Sequence, residues 1–191
     1  MNSIADQTIG SLIDELDQLG RQRDDAWQVP RVEGMLLFQI AVSCGAKLIV
    51  EIGTSYGFSG LFWGAALKQT GGKLHTIDVN PKKFESAKET FNRAGLSSIV
   101  QQHLGEAKNV LPTISGKIDL AFIDADKPST AAYFDLLWPA LRVGGSILTD
   151  NIMTHHKELA DYVAKVRAVP NAISLDLPVG NGLEWTTKIA G

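Results

Sequence analysis

The chain has 191 residues, 45% apolar and 20% charged, with a formal net charge of -3. That length suits one domain, 1–191, with a sizeable core, and no apolar run reaches the ~18 residues of a membrane span. The acidic balance and the lack of a Lys/Arg-rich block disfavour a nucleic-acid partner, and the lone Cys44 excludes an intrachain disulfide.

The opening MNSIADQTIG has neither the basic start nor the apolar stretch of a secretory signal, so a cytoplasmic protein is expected. Ile9, Leu12, Ile13, Leu16 and Leu19 then fall on one helical stripe, and a second helix is expected over Val32 to Ser43. These helices, within residues 1–45, form a docking or cap element for the domain or for a second subunit, and a homodimer is expected. Cys44, at the end of the second, is expected to be a small packed thiol with a structural role.

Beyond this point, apolar runs closed by Asp, Glu or Gly alternate with helical patterns, the signature of repeated strand-helix-strand units over a parallel sheet. Strands are expected at Leu48 to Glu51, Leu74 to Asp78, Ile99 to Leu104, Ile118 to Asp124 and Ser146 to Asp150. Helices are expected at Phe58 to Lys68, Pro81 to Arg93, Ser129 to Leu141 and Lys157 to Ala168. The tail reads as a strand Ala172 to Leu177, a turn Pro178 to Gly182 and a strand Leu183 to Ala190, a hairpin adding an antiparallel edge.

In an open parallel sheet, ligands lie beyond the carboxyl ends of the strands. The first strand runs into GTSYGFSG, where Gly53 and Gly57 let the backbone turn and approach a ligand, and Ser59 opens a helix whose free N–H groups suit a carboxylate. Asp78 closes the second strand at the spacing of an acidic group that binds ribose hydroxyls. A plain strand-to-helix turn with a solvated Asp78 is the competing reading, and the order of elements favours a nucleoside site. A nicotinamide dehydrogenase fits less well, because the loop is Gly-x-x-x-Gly-x-x-Gly and no Tyr-x-x-x-Lys pair follows.

FIDADK and the pair Asp150-Asn151 bring Asp124, Lys127, Asp150 and Asn151 to neighbouring strand ends. Oxygen-only ligation by Asp124, Asp150 and Asn151 points to Mg²⁺, Mn²⁺ or Ca²⁺, with coordination places left for a chelating diol or catechol. Beside such an ion a phenolic hydroxyl deprotonates more readily, and Lys127 is placed to take the proton or steady the charge. His155 and His156 are read as substrate-mouth or exposed loop residues without an assigned catalytic role, His75 and His103 are expected to pack or bond locally, and Tyr133 and Trp185 are read as pocket walls or core residues.

This ordered set resembles the class I S-adenosylmethionine-dependent methyltransferases, and within them the cation-dependent O-methyltransferases of the catechol and caffeoyl-CoA type. The resemblance runs from about Val32 to Gly191 and is strongest from Leu48 to Asn151. It implies a Rossmann-like, doubly wound, mostly parallel seven-stranded α/β sheet with an antiparallel C-terminal strand and helices on both faces. It also implies a cofactor set of Glu51, Gly53, Thr54, Ser55, Gly57, Ser59, Asp78, Val79, Glu106, Ala107 and Asp124 for S-adenosylmethionine.

By the same resemblance the metal ligands are Asp124, Asp150 and Asn151, the catalytic residues Lys127 and Asp124, and Glu184, beside Trp185, a substrate contact. The implied reaction moves a methyl group in line from a sulfonium to a hydroxyl of a small chelating acceptor, releasing S-adenosylhomocysteine (SAH). An RNA-modifying enzyme and a non-catalytic cofactor-binding protein are the alternatives.

Overall fold

The computed structural model describes residues 4–191. Residues 1–3, the start of the expected docking element, lie outside the described residues.

Asp6 opens α1 (Gln7–Gln22) by accepting hydrogen bonds from the Thr8 and Ile9 amides, and the Ile9, Leu12, Ile13 and Leu16 stripe is buried against the body of the same chain, where α1 meets α3. Pro30 leads into α2 (Arg31–Ser43), which packs on α3 (Phe58–Thr70). A Cβ on Gly34 would lie 2.4 Å from the Phe62 ring, so this glycine permits the close approach of the two helices. Residues Phe58 to Leu67 are all buried, which suits a helix sandwiched between α2 and the sheet.

The strands are β1 (Leu48–Ile52), β2 (Lys73–Asp78), β3 (Val100–Leu104), β4 (Ile118–Ile123), β5 (Leu141–Thr149), β6 (Ala172–Leu177) and β7 (Leu183–Lys188). They form one seven-stranded sheet in the order β3-β2-β1-β4-β5-β7-β6, in which only β7 runs against its neighbours. The central strands β1 and β4, apolar but for Glu51 and Asp119, are buried on both faces, as a doubly wound sheet requires. One core lies under α1 to α4 (Pro81–Arg93), and the other under α5 (Ala107–Val110), α6 (Thr130–Leu137) and α7 (Ala160–Arg167).

The chain winds outward from β1 through β2 to β3, then returns to β4 on the other side of β1. That reversal opens a crevice above the carboxyl ends of β1 and β4, and there the cavity lies. Among the described residues no helix is long and apolar enough to cross a membrane.

Three local expectations differ. The helix expected to Leu141 stops at Leu137, and Leu141 to Gly145 belong to β5, which passes a register shift opposite Ile118 and Leu120 before pairing regularly with β4. The helix expected from Lys157 begins at Ala160, after a run of turns. Cys44 is exposed rather than packed: it is the residue that ends α2, and its Sγ lies 3.6 Å from the Ala41 carbonyl oxygen.

Candidate active site

The cavity holds about 760 Å³. Its first wall is the turn after β1. Gly53 adopts φ +105°, and a Cβ there would lie 1.9 Å from the carbonyl oxygen of Asp124, so only glycine lets the β1 turn lie against the end of β4. Ser55 follows with φ +47°, and its amide donates to Asp78 Oδ2 at 2.8 Å, while the Asn80 amide donates to Asp78 Oδ1 at 2.8 Å. Asp78 is thus fixed by one N–H on each oxygen and keeps its remaining lone pairs for a ligand in the cavity it lines. Ser55 Oγ, on the same wall, is buried with no hydrogen-bond partner, a polar atom suited to a polar ligand.

Val79, Gly105 and Ala107 continue this wall. Val79 is 65% exposed, an apolar face beside the acidic Asp78. Together they offer what a nucleoside needs: an acceptor for hydroxyls and an apolar surface for a base.

Five of the expected cofactor residues do not line the cavity, four of them standing behind this wall and Glu106 facing solvent. Glu51 is fully buried and accepts from Trp63 Nε1 at 3.1 Å and from Thr76 Oγ1 at 2.6 Å. Burial pushes its carboxyl up to about 7, against the lowering effect of hydrogen bonds from Thr76, Ser59 and Trp63. Thr54 Oγ1 lies 2.6 Å from Thr76 Oγ1, so Glu51, Thr54 and Ser59 brace the turn from beneath. Gly57, at φ +89°, starts α3, and a Cβ there would sit 3.1 Å from Phe91. Glu106 faces solvent, paired with Lys108 at 2.9 Å, while its neighbours Gly105 and Ala107 reach the cavity.

The opposite wall is built at the ends of β4 and β5. These strands are parallel neighbours with Ile123 opposite Thr149, so Asp124 and Asp150 emerge side by side, and the Asp150 amide donates to the Ile123 carbonyl. Asn151 turns back with φ +72°, its amide donating to Asp150 Oδ1 at 2.6 Å. Lys127 Nζ donates to Asn151 Oδ1 at 2.5 Å and to the Ala125 carbonyl at 2.8 Å, and stands 3.7 Å from Asp124 Oδ1. Burial, then the Asp150 charge, raises the Asp124 carboxyl, and Lys127 opposes that rise. Burial likewise raises Asp150, against hydrogen bonds from Asn181 and Asn151.

Among the described residues no three His, Cys, Asp or Glu side chains converge at metal-binding spacing. The set here is two carboxylates and one carboxamide, an oxygen-only group that suits a hard divalent cation and not a thiophilic one. In the structure the Lys127 ammonium supplies their counter-charge.

Sequence reasoning missed several residues. Glu33, in the first turn of α2, is fully buried, and its Oε2 accepts from the Asn181 amide at 3.3 Å. Burial, then the Asp150 charge, holds its carboxyl far above the usual range. Asn181, read only as part of a turn, lines the cavity and donates from Nδ2 to Asp150 Oδ2 at 3.1 Å. An acidic residue inside the apolar pattern VEGMLLFQI was the available signal for Glu33. Trp27, Gln28 and Lys83 also line the cavity, as do Tyr133 and His155.

Glu184 and Trp185 do not line it. Glu184 is fully buried on the α7 side of β7, where Arg167 donates to both its oxygens at 2.7 Å and Ser174 Oγ donates at 2.7 Å. Trp185, on the other face of the strand, packs against the α1 to α4 core.

A family model described as a methyltransferase domain matches residues 50–152. The chain belongs to this methyltransferase family. The matched segment of the methyltransferase domain runs from β1 past Asn151, so it takes in the glycine turn, Asp78, Asp124, Lys127 and Asp150 and leaves out Glu33 and Asn181.

A catechol O-methyltransferase of Niastella koreensis is 37% identical over 131 residues, which is 66% of this chain and 59% of that protein. Caffeoyl-CoA O-methyltransferase 2 of Zea mays is 30% identical over 82% of this chain and 68% of its own length. The chain thus spans about three fifths of the bacterial catechol O-methyltransferases it matches. Among solved structures, the SAH-bound Podospora anserina methyltransferase superposes with a TM-score of 0.86 at 26% identity, covering 94% of this chain and 88% of that one.

Proposed function

We propose that the chain is an S-adenosylmethionine-dependent O-methyltransferase that acts on a small catechol-like acceptor held at a divalent cation. One observation carries the reading: the Asp124, Asp150, Asn151 and Lys127 cluster faces the same cavity as the Gly53 to Asp78 nucleoside wall. The names of the Niastella and maize relatives and the SAH in the fungal neighbour support the same reading.

S-adenosylmethionine, when bound, supplies an electrophilic methyl carbon on a sulfonium. Asp78 accepts the ribose hydroxyls, Ser55 Oγ meets a polar group of the cofactor, and Val79 with Ala107 covers the base. Asp124, Asp150 and Asn151 would hold the cation, whose Lewis acidity favours an ionised acceptor oxygen. Lys127, in its neutral amine form once the cation has replaced it as counter-charge to the carboxylates, takes the acceptor hydroxyl proton as the new C–O bond forms and the methyl–sulfur bond breaks, leaving SAH with a neutral sulfur. Holding both reactants in line can lower the barrier by up to ~7–11 kcal/mol.

The deciding experiment follows labelled methyl transfer from S-adenosylmethionine to a panel of catechols, with EDTA and then with Mg²⁺ or Mn²⁺ restored. Transfer lost to EDTA and regained with cation is expected. Undiminished transfer in EDTA would remove the cation from the mechanism, and SAH binding without transfer to any acceptor would leave a binding protein.

A further inference from the structure

The tip of the β6–β7 hairpin is clamped from two sides. Ile152 and Met153 amides donate to the Gly182 and Asn181 carbonyls at 3.0 and 3.2 Å, tying the tip to the segment that follows Asn151. On the other side Glu33 Oε2 accepts the Asn181 amide. Neither flanking glycine has room for a side chain: at φ +62°, a Cβ on Gly180 would lie 2.1 Å from Glu33 Oε2, and at φ +88°, one on Gly182 would lie 2.3 Å from Met153 Cγ.

The clamp leaves Asn181 to project into the cavity, where its Nδ2 holds Asp150 Oδ2, while the Asn151 amide holds Oδ1. Each Asp150 oxygen therefore has one lone pair engaged by an N–H, which fixes the plane of the carboxylate. Glu33 is 0% exposed, and its carboxyl also lies within hydrogen-bond reach of the Asp150 carboxylate. A buried carboxyl that touches both the hairpin tip and Asp150 couples the position of the one to the orientation of the other.

We propose that Glu33 and Asn181 are positioning residues for the cation site, with Glu33 setting the hairpin tip and Asn181 aiming Asp150 at the ion. The inference rests on the cation reading above. Hydrogen-bond partners behind metal-ligating carboxylates are typically worth 10–100-fold in metal affinity.

The test is Mn²⁺ binding by electron paramagnetic resonance and SAH binding by calorimetry, on the full chain and on Glu33→Ala, Glu33→Gln, Asn181→Leu and Asp150→Ala. Glu33→Ala and Asn181→Leu are expected to weaken Mn²⁺ by ~10–100-fold with SAH affinity held within about twofold. Glu33→Gln keeps the shape and an oxygen for the Asn181 amide, and is expected to stay within about threefold of the parent for Mn²⁺.

Parent-like Mn²⁺ affinity in Asn181→Leu, alongside its loss in Asp150→Ala, would overturn the positioning role and leave the cation reading standing. Equal losses of Mn²⁺ and SAH affinity would mark the clamp as purely structural and also overturn it. A parent protein that binds no Mn²⁺ would overturn both.

Discussion

The carbonyl oxygen of Asp124 stands where Gly53 lacks a Cβ, 1.9 Å from the position that atom would take. Through this contact the nucleoside wall and the carboxylate wall share one piece of backbone. Gly53→Ala must strain a left-handed residue and push β4 away at once. It is expected to destabilise the fold by at least ~2 kcal/mol and weaken SAH by more than tenfold. Thermal melts and calorimetry check this, and a stable Gly53→Ala protein with parent SAH affinity would show the contact to be dispensable.

Lys127→Ala separates proton transfer from binding. Loss of the general base is expected to lower kcat by ~10²–10⁴-fold with SAH affinity unchanged. Because Lys127 donates to Asn151 Oδ1 and faces Asp124, its removal also takes a competing positive charge from the oxygen cluster. Mn²⁺ should then bind at least as tightly as to the parent. Weaker Mn²⁺ would mean that Lys127 organises the site rather than serving as its base.

Arg167 and Glu184 form a structural pair. Arg167→Ala strands the fully buried Glu184 and is expected to cost ~3–5 kcal/mol of stability, whereas Glu184→Ala leaves Arg167 the exposed Asp176 and should cost less. In both variants kcat and KM should stay within about twofold. A stable Glu184→Ala protein that has lost turnover would return Glu184 to the substrate.

Glu51 makes stability depend on pH. Its carboxyl ionises near 4.5 in the unfolded chain and near 7 when folded. The folded state therefore holds the extra proton, and this stabilisation is complete below about pH 4.5 and is lost as pH rises through about 7, some ~3 kcal/mol in all. Urea unfolding across that window should fall with pH for the parent and less steeply for Glu51→Gln. Parallel profiles would mean that Glu51 is ionised throughout.

Much of this was legible in order along the chain. The mostly apolar runs closed by Asp78, Asp124 and Asp150 are strands, because a strand covered on both sheet faces favours apolar residues until it leaves the sheet. The Leu141 to Gly145 part of β5 was hidden, since two glycines and an arginine look like a helix end and only pairing with β4 draws them into the sheet. Glu184 was misplaced because an alternating strand does not declare which face meets the cavity and which meets α7. Glu33 showed only as an acid inside an apolar pattern and could not be tied to the site, because its partner lies 148 positions away and only the fold makes them neighbours.

That separation also bears on synthesis. A nascent polypeptide that has emerged only as far as Asn151 already carries the glycine turn, Asp78 and both aspartates, yet it lacks the segment that grips Asp150 from the far side. At that length Asp150 still has the Asn151 amide for Oδ1, but the bond that completes its orientation, from Asn181 to Oδ2, waits for the last hairpin.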